Sequence, residues 1–183
     1  MLWTVLLLRL CLHAALTTVV PACDSRHGSE CRNRRVNKLH VFFHGHRVMC
    51  GQRLRKTLTA SSPVLVYAQA TEGSRYLVVM VDPDAPYHCA PPGRSLADFI
   101  HYAAIMEPHN GRLSSVFNLI SYQGPNPPIG VHRYQIYLYN WSRSGIPVLR
   151  NNASVRTNFN RTKFQAENHL ARHEAFFQFK VKK

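Results

Sequence analysis

The chain has 183 residues, with 23 lysines and arginines against nine acids and a formal net charge of +14. Hydrophobic residues make up 45% of it, enough for one well-cored domain and too many for a disordered basic tail. Beyond residue 22 no stretch has the apolar length of a membrane-spanning helix, which excludes such a span there.

The first 22 residues stand apart. Met1 to Leu16 is apolar except for Thr4, Arg9 and His13, and Val20-Pro21-Ala22 supplies the small residues that precede signal cleavage. The reading is a secretory signal at 1–22 followed by a single extracellular domain at 23–183, whose first part, 23–38, is a basic, cysteine-containing segment. Cys11 leaves with the signal. Cys23, Cys31, Cys50 and Cys89 remain, an even set that fits two disulfides in any of three pairings. No two are spaced as a zinc or redox pair. Asn140-Trp-Ser, Asn152-Ala-Ser and Asn160-Arg-Thr are glycosylation candidates.

The charge is uneven. Residues 23–60 hold nine lysines and arginines against Asp24 and Glu30, and residues 143–183 hold nine against Glu167 and Glu174. The middle has Arg75, Arg94, Arg112 and Arg133 against five acids. Such basic ends are either a solvated surface or a face for a heparin-like glycan or an anionic membrane. Nucleic acid is the least favoured partner, because no recognition motif accompanies the charge.

In chain order, Leu39–Phe43, Pro63–Ala68 and Tyr76–Val81 read as strands, β-branched and aromatic between polar turns. Pro86–Ser95 is a proline-rich loop. Phe99–Met106 follows as a strand whose period of two sets Phe99, His101, Ala103 and Ile105 on one face. In the strand His132–Tyr139, His132, Tyr134, Ile136 and Leu138 share a face, with Arg133 and Gln135 turned the other way. Thr162 and Gln165 match a capping box that starts a helix to about Arg172, with Phe164 and Ala171 inward. His169 and His173, at i and i+4, read as solvent-facing rather than as a metal pair. Ala175–Val181 is a last strand. Short strands with one late helix predict an all-β, antiparallel Greek-key sandwich with small peripheral helices.

Chemistry gathers at Val81-Asp82-Pro83-Asp84-Ala85-Pro86 and Gly124–Tyr134. Two prolines stiffen the backbone around Asp82 at the mouth of the most apolar strand, where a carboxylate either forms its own turn or joins a polar site. A carboxylate beside an imidazole raises its pKa and fixes its tautomer, so His101 and His132 are expected to present N–H donors. Gly124 is expected to let a ligand approach the backbone. No nucleophile elbow is present, so a binding pocket for an anion is expected rather than an enzyme. Two histidines and one carboxylate as a metal triad is a weaker pattern, and no metal or other cofactor is assigned.

Asp82-Pro-Asp-Ala-Pro86, then Gly124-Pro and Gly130-Val-His-Arg-Tyr134, resembles the phosphatidylethanolamine-binding proteins, or Raf kinase inhibitor proteins, over roughly Tyr76 to Lys183. With its signal, cysteines and sequons the chain looks most like the secreted, phosphatidylethanolamine-binding protein four-like branch. The resemblance implies a β-sandwich with a small pocket for phosphate-like anions and phospholipid head groups, lined by Asp82, His101, Gly124, His132 and Tyr134. It also implies a cis peptide near Asp84–Pro86, and partners that include kinases and serine proteases. Export turns the last expectation towards an extracellular protein partner, through inhibition or signalling. Where the family often carries tyrosine and tryptophan before the pocket histidine this chain has Leu96 and Phe99. Ile100-His101 replaces a histidine pair, and Phe177 stands for a pocket tyrosine.

Overall fold

The computed structural model describes Cys31, residues 38–151 and residues 154–183. The expected signal, Cys23 and Asn152 lie outside the described residues. The strands are β1 (Leu39–Phe43), β2 (His46–Val48), β3 (Arg53–Leu54), β4 (Val64–Tyr67), β5 (Tyr76–Asp82), β6 (Phe99–His109), β7 (Arg112–Ile120), β8 (Val131–Asn140) and β9 (Ala175–Lys182), with helix α1 at Arg161–Glu167 before β9.

All nine strands join one sheet in the order β2-β1-β4-β7-β6-β5-β8-β9-β3. Every pairing is antiparallel except β3 with β9. The mostly-β reading therefore holds, but one continuous curled sheet stands where two packed sheets were expected. Five strands separate β1 from β9, yet Phe43 meets Phe179 edge-on with ring centroids 5.4 Å apart. The curl encloses an inner cluster that includes Val41, Tyr76, Val78, Met80, Tyr134, Ile136 and Phe179. Leu77, Val79, Val81, Tyr137 and Phe176 form an outer cluster, covered by Trp141, Phe159 and Phe164 from the C-terminal region. All seven residues of β5 are buried, because both faces of this central strand are covered.

The sequence-predicted strands coincide with β1, β4, β5, β6, β8 and β9 to within a few residues. The helix differs. Its N-cap is Asn160, whose side chain accepts from Lys163 N at 2.9 Å, so the Thr162 capping box does not form. Phe164 is buried as expected, but the helix ends at Glu167 and Ala171 is exposed. His169 and His173 therefore never share a helical face. His169 is exposed, whereas His173 is buried, and burial with the charges of Arg161 and Arg172 drives its pKa down to about 4.

Cys31 and Cys50 form a disulfide, and Cys89 is disulfide-bonded as well. Asn140 and Asn160 are both exposed.

Candidate ligand pocket

Asp82 ends β5 and continues the inner face of Tyr76, Val78 and Met80. Its Oδ1 accepts from Asp84 N at 2.8 Å, and its Oδ2 lies 2.7 Å from His132 Nδ1. The carboxylate is thus a turn-former and a site member at once, since it has lone pairs enough for both. Across from it, the second nitrogen of His132, Nε2, sits 3.1 Å from the Ile129 carbonyl. Both ring nitrogens face acceptors, an arrangement that favours the doubly protonated ring. Burial opposes that charge, but the hydrogen bond and charge of Asp82, with Asp84 and the Ile129 carbonyl, outweigh it and raise the pKa. The expected outward N–H donor is consequently absent at His132, because both donors are used within the protein.

His101 reaches the same place by a local irregularity. Met80 pairs with Tyr102 and Val81 with Ile100, so His101 is the extra residue of a β-bulge. A bulge re-aims one side chain against the strand's alternation. The consequence corrects the expected face: Ala103 and Ile105 belong to the outer cluster, while His101 turns in against the edge of Tyr134, ring centroids 5.0 Å apart. Its Nδ1 donates to the Gln123 carbonyl at 2.7 Å, while Gln123 N donates to the His101 carbonyl at 2.8 Å. Burial, between Phe99 and Tyr134, lowers its pKa, and the Arg156 and His132 charges act in the same direction. The neutral ring therefore carries its proton on Nδ1 and presents Nε2 as an acceptor without a partner among the described residues.

Tyr134 stacks on Phe179 and is fully buried, yet its hydroxyl has no hydrogen bond of normal geometry. Burial, the Asp82 charge and a long hydrogen-bonding approach to the Asp82 carboxylate raise its pKa, so the hydroxyl keeps its proton. Buried polar atoms normally find partners, and an orphan beside a cavity is a donor waiting for one.

Gly124 lines the cavity as expected, and its backbone is also closely approached from within the protein. A Cβ at this position would lie 2.9 Å from the Thr59 carbonyl oxygen and 3.3 Å from Ala60 Cα. This close approach of the protein's own backbone by itself requires glycine, beside Tyr122 whose hydroxyl donates to the same Thr59 carbonyl at 2.7 Å.

Asp82, His101, Gly124, His132 and Tyr134 together line one cavity of about 210 Å³. Ala85, Pro86, Leu96, Phe99, Gln123, Asn126 and Pro128 complete the wall, and Ala85–Pro86 is the cis peptide that the resemblance implied. Leu96 and Phe99 thus stand at the wall, as the resemblance suggests. Phe177, by contrast, is buried in the inner cluster and does not line the cavity. Among the described residues no three His, Cys, Asp or Glu side chains gather as a metal-holding group.

Sequence reasoning missed the clamp behind the pocket. Asp84 accepts from Arg133 N at 2.8 Å, from Arg133 Nε at 2.8 Å and from Arg133 Nη2 at 2.6 Å, and His88 Nδ1 adds a further contact. Burial opposes its ionisation, yet the Arg133 and His88 hydrogen bonds hold its pKa below the usual value. The signal was present as paired dyads. Asp82 and Asp84 on one strand end face His132 and Arg133 on the next, so successive residues make two cross-links.

A family model described as phosphatidylethanolamine-binding protein matches residues 41–180, so the likeness begins in β1, well before Tyr76. CEN-like protein 1 of Nicotiana tabacum is 31% identical over 134 residues, covering 73% of this chain and 74% of that one. The rice protein MOTHER of FT and TFL1 homolog 2 is 29% identical over 136 residues, covering 74% and 76% respectively. Among solved structures, a carboxypeptidase Y inhibitor in complex with its cognate proteinase aligns with TM-score 0.64 and 21% identity over 79% of this chain and 82% of that one. A phosphatidylethanolamine-binding protein of Plasmodium falciparum aligns with TM-score 0.57 and 18% identity over 82% and 88%. From the match over residues 41–180 and the tobacco relative, the chain belongs to the phosphatidylethanolamine-binding protein family.

Proposed function

We propose that the protein is a secreted, non-catalytic binding protein whose pocket takes a phosphate-bearing head group or a comparable small anion. One observation carries the reading: the hydroxyl of Tyr134, without a well-formed hydrogen bond, and Nε2 of His101, without a partner among the described residues, belong to side chains that line a single cavity of about 210 Å³. That volume falls below the range of roughly 300 to 1,000 Å³ typical of drug-sized ligands, and suits a head group rather than a whole lipid. Asp82 is paired with His132, whose pKa the carboxylate raises, so an entering anion meets a carboxylate already engaged by a ring that favours its cationic form. Tyr134 donates to one ligand oxygen. His101 accepts a proton from a protonated ligand oxygen, or takes one up from solvent and then donates.

Secretion is supported by the Cys31–Cys50 disulfide and the bonded Cys89, which suit an oxidising compartment. Titration with phosphoethanolamine, read through imidazole NMR shifts, should move His101 most and His132 less. A folded sample in which neither moves sinks the reading. A second reading, an extracellular protease inhibitor or signalling modulator acting through its surface, is favoured by the likeness of fold to the carboxypeptidase Y inhibitor. His101→Ala separates the two, since surface inhibition survives it and pocket binding does not.

A further inference from the structure

The two basic ends of the chain, far apart in sequence, meet in the fold. β3 lies parallel to β9 with Arg53 opposite Lys180, and Lys180 in turn stands opposite Arg133 of β8. Three cations are thus in register on three adjacent strands, spread over roughly 10 Å at the usual inter-strand spacing. With Asp84, His88 and Val131 they line a cleft of about 310 Å³, whose lining shares no residue with that of the head-group pocket. Like charges directly opposite each other repel, so folding alone gives no reason for this row. Only Arg133 is matched, by Asp84. Neither Arg53 nor Lys180 has an ion-pair partner among the described residues. Arg53 also borders an open depression with His44 and Arg55, which prolongs the cationic track.

We propose that this cleft is a binding site for sulfated polysaccharide, independent of the pocket. Val131 is its one apolar lining residue, and no phenylalanine, tyrosine or tryptophan lines it. Bases would find only the His88 ring, which Asp84 holds through Nδ1, and a bilayer would receive no apolar wedge. What the row fits is a polymer with closely spaced oxoanions and little apolar surface. The planar guanidinium of Arg53 suits the paired oxygens of a sulfate, and the Lys180 ammonium adds a second charge, while Arg133 is held by Asp84.

The test measures the full-length protein against heparin oligosaccharide over a range of salt concentrations, with two double variants that each remove two charges. Arg53→Gln with Lys180→Gln alters the cleft; Lys163→Gln with Arg172→Gln alters exposed positions on and beyond α1. The cleft variant should bind about tenfold more weakly, its salt slope falling by roughly one per cation removed, while the other changes less than about twofold. The Tm of the cleft variant should hold or rise by up to about 2 °C, as repulsion within the row is relieved. Equal losses in both variants would reduce the effect to diffuse net charge and overturn the site. So would a fall in Tm large enough to explain the lost binding. Loss of binding to phosphatidylserine vesicles or a single-stranded oligonucleotide, with heparin binding untouched, would overturn the choice of ligand.

Discussion

Asp82 and Asp84 are separated by one proline, equally buried, and put to opposite uses. Asp84 lines the cationic cleft and is saturated, with three hydrogen bonds from Arg133 and a contact from His88. Asp82 lines the pocket, and beyond its turn amide it has the His132 ring, beside a Tyr134 hydroxyl with no well-formed hydrogen bond and a His101 nitrogen without a partner among the described residues. A saturated carboxylate locks β5 to β8. Its neighbour stands in a cavity that still has hydrogen bonds to give. One stiff turn thus builds a fixed wall and an open site together, and the wall holds the site's geometry.

The largest expected effect tests that division. Asp84→Asn leaves the half-buried Arg133 without its charge partner, which should cost about 3 to 5 kcal/mol in chemical denaturation. Asp82→Asn keeps an acceptor for His132 and loses mainly the charge in one hydrogen bond, about 2 kcal/mol. The second variant should nonetheless lose more head-group affinity when both are compared below their unfolding transitions. Reversal of the two rankings would show that Asp82 is the structural residue of the pair.

These roles were only half legible from sequence. The strands that build the pocket have strong signals, β-branched or aromatic runs with a period of two, and Asp82, His132 and Tyr134 inherit their placement from that period. His101 does not. Its orientation comes from a bulge, which inserts one residue into the ladder without any composition of its own, and this carried Ala103 and Ile105 to the other face. β7 was not foreseen because only Leu113 and Ile120 of its nine residues are buried, leaving no apolar pattern to read. Its one cue was Asn110-Gly111, both at positive φ, the dipeptide of a two-residue hairpin. Asn160 took the cap from Thr162 because an N-cap is decided by where the incoming chain leaves the extended region, and Asn160 is extended there.

Gly124 offers a smaller effect that divides packing from ligand contact on the pocket side. An alanine methyl cannot share space with a backbone oxygen 2.9 Å away, so the 121–128 segment or the Thr59–Ala60 backbone must shift. Gly124→Ala should lower stability by about 1 to 3 kcal/mol, the usual range for overpacking, with phosphoethanolamine affinity changed less than about threefold. Intact stability with lost binding would return Gly124 to the role the sequence suggested, a close approach for ligand.

The smallest effect is the most diagnostic, because the two pocket histidines should titrate on opposite sides of their ordinary pKa of about 6.5. The pKa of His101 is lowered in the fold, first by burial, so the unfolded chain takes its proton sooner; stability from this residue is present above pH 6.5 and lost as pH falls. His132 is raised, and its contribution is full below pH 6.5 and lost as pH rises through its folded value. Asp98, which burial pushes up to about 6, overlaps both in a global melt, so residue-resolved shifts are the proper measurement. Saturating sulfate, whose charge is constant over this range, should raise the His101 pKa by placing a negative charge near Nε2 and leave His132 almost unmoved. Sulfate affinity must then increase as pH drops below about 6.5, since binding and protonation of His101 favour each other. An affinity that is flat with pH, with bound sulfate shifting His132 alone, would mean that the anion sits against the Asp82 pair and that the bulge at His101 serves the strand rather than the ligand.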